Sequence, residues 1–307
     1  MVSGKPILVT GSHRSGSTWI GKMLTASPEL VYVDEPFNLY HHLLFQPTIF
    51  DHWFTYVLPE NEQRYFKYLQ TAIEAKFNLV LDANTIKTGR DRQRLLQTYL
   101  QSLKKRWTGA RPLVKDPIAL FSAEWLANTF NMDVVLTIRH PAAFAYSLKR
   151  ANWTHDFSHF LAQPLLMRDY LHPFAAQISE YAASEKDIID QAALLWKLIH
   201  YRVSMYQVHH SNWIFVRHED LSRDPIAQFA KLFQQLNIAF SLDIQATIAD
   251  YSRPDEAIAA NPQLGFSKRD SRAIITSWKS GLSPSEIERI RHQVGDVASS
   301  FYSEQDW

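Results

Sequence analysis

The sequence predicts an α/β fold in three layers, with a central, mostly parallel sheet of about five strands and helical insertions. Two patterns carry that expectation. Short β-branched apolar runs recur along the chain, most of them halted by Gly or Pro, and stretches with helical spacing follow them. The composition agrees: 46% hydrophobic and 21% charged residues are ordinary globular values, so the chain can bury a core.

Taken in order, "PILVTG" (6–11) is a nearly continuous apolar run ending in Gly, as a buried parallel strand reads. "GSTWIGKMLTAS" continues as a helix. "LVYVDEPFN" (30–38) is a second strand, stopped by Pro36, which has no N–H for a ladder. An aromatic region, 39–75, follows, with helix from about Asn61, and "RDRQRLLQTYLQSLKKRW" (90–107) has helical spacing with a basic end. "RPLVKDP" (111–117) is the third strand, leading to a helix through "LFSAEWLANTF". "MDVVLTIRHP" (132–141) is the fourth, with Pro141 opening the next helix. "NWIFVRHEDL" (212–221) is a fifth strand running into a helix. Ser283, Pro284 and Glu286 spell a capping box at the start of "LSPSEIERIRHQV". The segment 151–174 is aromatic, broken by Pro and without one period, and is expected to be an excursion over a ligand site. There is no internal repeat, and the expectation is one domain over 1–307.

Several functions are disfavoured at once. A net charge of +1 argues against a dedicated nucleic-acid binder while allowing a concentrated anion pocket. Without Cys there is no disulfide, thiolate nucleophile or Cys-based zinc site, which fits a reducing cytoplasm. No apolar run approaches the ~18 residues of a membrane span, and no leader or anchor is expected. Of the 13 His, His155 and His159 stand four apart and His41, His42 and His52 cluster, but none lies in a H-E-x-x-H pattern, so no metal is expected; some of these His are candidates for an acceptor pocket.

The chemistry concentrates in "GSHRSGSTWIGKML". A turn between strand and helix presents successive backbone N–H groups, and the helix start adds partial positive charge. Gly11 and Gly16 allow a tight path, Ser17 and Thr18 bring hydroxyls, and Arg14 brings a cationic fork. A nucleotide-triphosphate P-loop would carry Lys where Ser17 stands, and no Walker-B run appears, which weighs against a kinase.

This loop resembles the 5′-phosphosulfate loop of the sulfotransferase family, whose members use 3′-phosphoadenosine 5′-phosphosulfate (PAPS) and have a P-loop-like fold. The family places Lys or Arg before a Ser-Gly-(Ser/Thr)-Thr run; here Arg14 precedes "SGST". A second segment, "VVLTIRHPAAFAYSLKR", is similar to the family's 3′-phosphate segment, with Arg139 at a strand end and Ser147 eight residues on. Weaker likenesses to the bacterial and carbohydrate branches lie in "LVKDPIALFSAEWL", "FVRHEDLSRDP" and "SWKSGLSPSEIERI". Stretches 39–110 and 151–210 match nothing nameable and are read as substrate-side insertions.

What the resemblance implies is a PAPS-dependent enzyme acting on a small-molecule or glycan acceptor through a hydroxyl, with an amine as the less favoured alternative, and with no metal and no nucleic acid. Arg14, Ser15, Gly16, Ser17, Thr18 and Trp19 would hold the donor's phosphosulfate, Arg139 and Ser147 its 3′-phosphate. Lys279 is preferred over Lys268 and Arg269 as a closing cation. Lys115 matches the family's strand-end lysine and is assigned to the bridging or sulfuryl oxygens, with Asp116 to orient it or a substrate amine. Where the cytosolic branch has a catalytic His, this chain has Pro117, so the base is assigned to Glu35 in "DEPF". Asp34 competes, and strand alternation predicts that only one of the two faces the cleft. A nucleotide-binding module without transferase activity, or a small-molecule kinase, is the alternative.

Overall fold

The computed structural model describes residues 4–40, 48–74, 109–252 and 271–307. Five strands, β1 (Ile7–Gly11), β2 (Leu30–Asp34), β3 (Arg111–Lys115), β4 (Asp133–Ile138) and β5 (Ile214–Arg217), form one sheet in the order β2-β3-β1-β4-β5. All five strands sit within the expected apolar runs, four of them ended by Gly or Pro and β5 by the helix that follows it. The order reverses at β1, and in open α/β sheets ligands gather beyond the carboxyl ends of the strands at such a reversal. The expected helix over 90–107 lies outside the described residues.

The chain divides into two compact units. One comprises Met1–His13, Ser17–Val135 and Ser158–His172; the other comprises Arg14–Gly16, Leu136–Phe157 and Pro173–Trp307. In the first, β1 and β2 both pair in parallel with β3, in a register that puts Val9, Lys115 and Asp34 in one row. β1 is wholly buried, as its β-branched run requires. Helix α1 (Ser17–Leu24) packs on these strands, and α2 (Phe66–Glu74) and α3 (Ala123–Phe130) also belong to this unit, α3 being preceded by a 3₁₀ stretch, Pro117–Ser122. At the amino end of the sheet the buried Arg111 guanidinium donates to the Lys5 carbonyl at 2.7 Å and pairs with Asp133 at 2.8 Å.

Two aromatic stretches that have no clear period in the sequence pack against each other in this unit. Gln163, buried, accepts from the Tyr56 N–H at 2.8 Å and donates to the His159 carbonyl at 2.9 Å. The Tyr56 hydroxyl donates to Asp169 at 3.1 Å, and the Phe54 ring stacks on Phe160 at 6.0 Å. Residues 158–172 are therefore a succession of short helical turns, including a π-helical one at Met167–Leu171, shaped by these contacts rather than by one period.

The second unit is mostly helical: α4 (Pro141–Ala151), α5 (Ala175–Ala183), α6 (Ile188–His209), α7 (His218–Arg223), α8 (Pro225–Gln235), α9 (Leu242–Ser252), α10 (Ser271–Gly281) and α11 (Pro284–Ala298). Its core is led by Phe144, Trp196, Tyr206, Phe229 and Phe233. Among the described residues no helix is long and apolar enough to cross a membrane.

The capping box predicted for α11 is present, with Glu286 N–H donating to Ser283 Oγ at 3.2 Å and Ser283 N–H to Glu286 Oε2 at 2.7 Å. Ser283→Ala removes one of these bonds. An expected loss of about 1 kcal/mol should appear as a lower urea midpoint at unchanged slope.

Candidate active site

In the first unit the site grows from the row Val9, Lys115, Asp34. Parallel strands place side chains of one row on one face, so Lys115 and Asp34 meet, Nζ to Oδ1 at 2.7 Å. β2 ends there. Glu35 takes a left-handed backbone (φ 40°) and opens a tight turn in which Asn38 N–H donates to the Glu35 carbonyl at 3.1 Å. That turn brings the Glu35 carboxylate back to Lys115: Oε1 accepts from Nζ, while Oε2 accepts from Asn38 Nδ2 at 2.7 Å.

Strand alternation therefore does not choose between Asp34 and Glu35. Alternation holds only while the backbone stays extended, and the positive φ at Glu35 breaks it, so both carboxylates face the same ammonium. Burial works against the charge on Lys115, whose side chain is 3% exposed, but Asp34 and Glu35 more than offset it and hold its pKa above the usual lysine value.

Asp116 has another role from the one expected of it. Its carboxylate accepts from the backbone N–H groups of Phe37 (2.7 Å), Ile118 (2.9 Å) and Ala119 (3.2 Å), capping the 3₁₀ stretch and fastening the Glu35–Asn38 turn to β3. It points at amides, so it anchors the site rather than orienting Lys115. Asn38 is the residue that sequence reasoning overlooked; its only signal is its position at the end of the "EPFN" turn.

Helix α1 starts in the same unit. The N–H groups of its first turn, which opens on Ser17 and Thr18, have no acceptors within the helix, as at any helix start. Gly21 lets α1 lie close: a Cβ there would stand 2.8 Å from the Tyr32 ring and 3.3 Å from Lys115 Cβ. Trp19 is buried and its indole belongs to the core.

In the second unit Arg14, Arg139 and Ser147 converge from distant parts of the chain. Arg14 Nε donates to Ser147 Oγ at 2.9 Å, and the Arg139 guanidinium donates to the Arg14 carbonyl. Ser15 Oγ is hydrogen-bonded to Thr137 Oγ1. The guanidinium of Arg14 lies 5.3 Å from the Trp153 ring centroid. Gly16 has φ 92°, and a Cβ there would come 2.6 Å from His218 Nδ1, so position 16 admits glycine alone. Burial first, and the Arg139 charge second, push the His218 pKa down to about 3, so that the imidazole is neutral. Lys279 donates to the Trp307 backbone oxygen at 2.8 Å and lies beside Trp278.

A model of the sulfotransferase family matches residues 6–241, a span that contains the loop, Glu35, Lys115, Arg139 and Ser147. The chain belongs to the sulfotransferase family. Two solved structures resemble the fold of this sulfotransferase. One is the sulfotransferase domain from the Synechococcus PCC 7002 olefin synthase, 15% identical, covering 98% of this chain and 96% of that one at a TM-score of 0.51. The other, the sulfotransferase domain from the curacin biosynthetic pathway, is 15% identical, covering 96% and 99% of the two chains at a TM-score of 0.51. No curated protein matches the sequence.

Of the His considered for an acceptor pocket, His159 packs edge-on against His52 with centroids 5.7 Å apart, and the His155 ring is edge-on to Phe157 at 5.1 Å; His41 and His42 lie outside the described residues, as do Lys268 and Arg269. Among the described residues no three His, Asp or Glu side chains are grouped as metal ligands.

Burial, with the Glu35 charge, pushes the Asp116 carboxyl up to about 7, against its backbone donors and Lys115. In the folded chain this group thus binds its proton more tightly than in the unfolded chain, so its contribution to stability falls as pH rises from about 4 to about 7. Asp116→Asn should flatten that part of the stability-versus-pH curve measured by urea unfolding at successive pH values.

Proposed function

We propose that this sulfotransferase moves the sulfuryl group of PAPS to a hydroxyl acceptor by in-line attack, with Glu35 as the base. The observation that carries the reading is the meeting of Arg14 with Arg139 and Ser147. These are the residues that the resemblance assigns to the phosphosulfate loop and the 3′-phosphate, and they form one hydrogen-bonded group. Planar guanidinium forks suit phosphate oxygens. Lys279 follows Trp278, which stacks on His140 beside Arg139, and is kept as the closing cation on the 3′-phosphate side. The family match runs through both compact units, which supports one sulfotransferase domain with insertions at 39–110 and 151–210.

The chemistry follows from the Lys115 cluster. The acceptor oxygen attacks sulfur opposite the nucleotide phosphate; an O–S bond forms as the bond from sulfur to the phosphate oxygen breaks, and the electron pair leaves with adenosine 3′,5′-bisphosphate. The acceptor proton passes to a carboxylate oxygen of Glu35. Lys115 holds the Glu35 carboxylate in place as an ion pair before attack, and once Glu35 has taken the acceptor proton that ion pair weakens, leaving an ammonium N–H to aim at the departing oxygen. Amides at the start of α1 and the Ser17 and Thr18 hydroxyls would hold the sulfuryl oxygens. Tyr40, exposed and edge-on to Trp53 at 5.5 Å, lies two residues beyond Asn38 and supports an aromatic-lined acceptor side.

Two measurements test this reading. Calorimetry should show adenosine 3′,5′-bisphosphate binding far more tightly than ATP with Mg²⁺; the reverse order would make the protein a kinase-like nucleotide binder. Glu35→Gln should lower kcat by about 10²-fold or more, a general base's usual share, with bisphosphate affinity unchanged. Undiminished turnover in that variant would move the base to Asp34 or a histidine.

A further inference from the structure

Arg139 and His140 lie at the junction of two elements: β4 ends at Ile138, and α4 begins at Pro141 with His140 as its N-cap. The His140 carbonyl accepts from the Phe144 N–H at 2.9 Å, the His140 side chain makes no cap bond to α4, and Pro141 has no N–H to offer. The peptide joining them is nevertheless gripped at both polar atoms. The Trp196 indole N–H donates to the Arg139 carbonyl at 2.8 Å, and the His140 N–H donates to Glu219 Oε1 at 2.9 Å. Glu219 Oε2 in turn accepts from the Tyr302 hydroxyl at 3.0 Å. The His140 ring lies nearly flat on Trp278, 4.9 Å away at 11°, with Tyr302 and Trp307 edge-on at 4.9 and 4.6 Å. Trp196, Glu219, His140, Trp278 and Tyr302 are all buried, so no water replaces these partners.

A peptide plane sets ψ of the residue before it and φ of the residue after it. We propose that Trp196 and Glu219 are positioning residues, which fix the 139–140 peptide and thereby aim the Arg139 guanidinium at the donor's 3′-phosphate. The inference rests on the donor reading above. Glu219 reaches no loop residue itself; it acts through the backbone of its neighbour. Burial drives the His140 pKa down to about 3, so the ring packed behind this peptide stays neutral and adds no second charge to the site.

The test compares two nucleotides that differ only in the 3′-phosphate, adenosine 3′,5′-bisphosphate and adenosine 5′-monophosphate, titrated calorimetrically into the full chain. Glu219→Ala should weaken the bisphosphate about tenfold or more and leave the monophosphate within about twofold. Glu219→Gln should recover most of the loss, because its amide oxygen still accepts from His140 N–H. In an Arg139→Ala background Glu219→Ala should add nothing, as coupling through Arg139 demands. Trp196→Phe, which removes the indole N–H and keeps a ring, carries the same expectation and serves if Glu219→Ala does not fold. Equal losses for both nucleotides, or an undiminished effect without Arg139, would overturn the positioning role. A wild type that prefers the bisphosphate through Arg139 while Glu219→Ala is silent removes this inference alone; a wild type indifferent to the 3′-phosphate removes the donor reading and this inference with it.

Discussion

One buried carboxylate holds together the edge on which the first unit's chemistry stands. Asp116 gathers three backbone N–H groups, one from the turn after β2 and two from the stretch after β3. Its own N–H continues the sheet by donating to Val9 at 2.9 Å, and Glu35 N–H does the same to Lys115 at 2.9 Å. The strand ends are thus laced together past the last regular pair. The left-handed Glu35 is an outcome of that lacing. A non-glycine residue at positive φ costs free energy and persists only where surrounding bonds over-determine it.

Opposite charges are then used at short range. Lys115 is almost wholly buried yet fully charged, because two carboxylates meet it; either alone would leave a poorer balance against desolvation. The second unit solves a different problem, the gathering of two guanidinium groups. Arg139 spends a donor on the Arg14 carbonyl and Arg14 spends one on Ser147, so each like charge is held by neutral acceptors. Two cations fixed in this way concentrate positive charge in one place.

Much of this was legible in the sequence, and the limits are instructive. β1, β3 and β4 were readable because a buried parallel strand needs an unbroken β-branched run, and Gly11, Pro117 and Pro141 punctuate those runs. Arg14, Arg139 and Ser147 were singled out by the resemblance of their two segments to the sulfotransferase family, and the fold brings these three residues together. Asp34 and Glu35 were misjudged together because periodicity assumes one backbone conformation across both. Asp116 was misjudged because an acidic residue beside a lysine looks like its partner, whereas amides brought by the fold claim it. Trp196, Glu219 and Tyr302 carry no local mark: their meeting with residues 139 and 140 depends on helices and segments far away in the chain.

The cap of α11 has a mechanical side. Glu286, while closing the capping box, also takes Lys149 of α4 at 2.6 Å, and Lys149 stands two residues after Ser147. The lysine contact, ahead of the Ser283 N–H, holds the Glu286 carboxyl below its usual pKa. Helix α4 is therefore a beam supported at both ends, by the gripped peptide before Pro141 and by the lysine tether at its far end. A beam held at one end swings most at its tip; one held at two swings least along its span, and Ser147 sits on that span, facing Arg14.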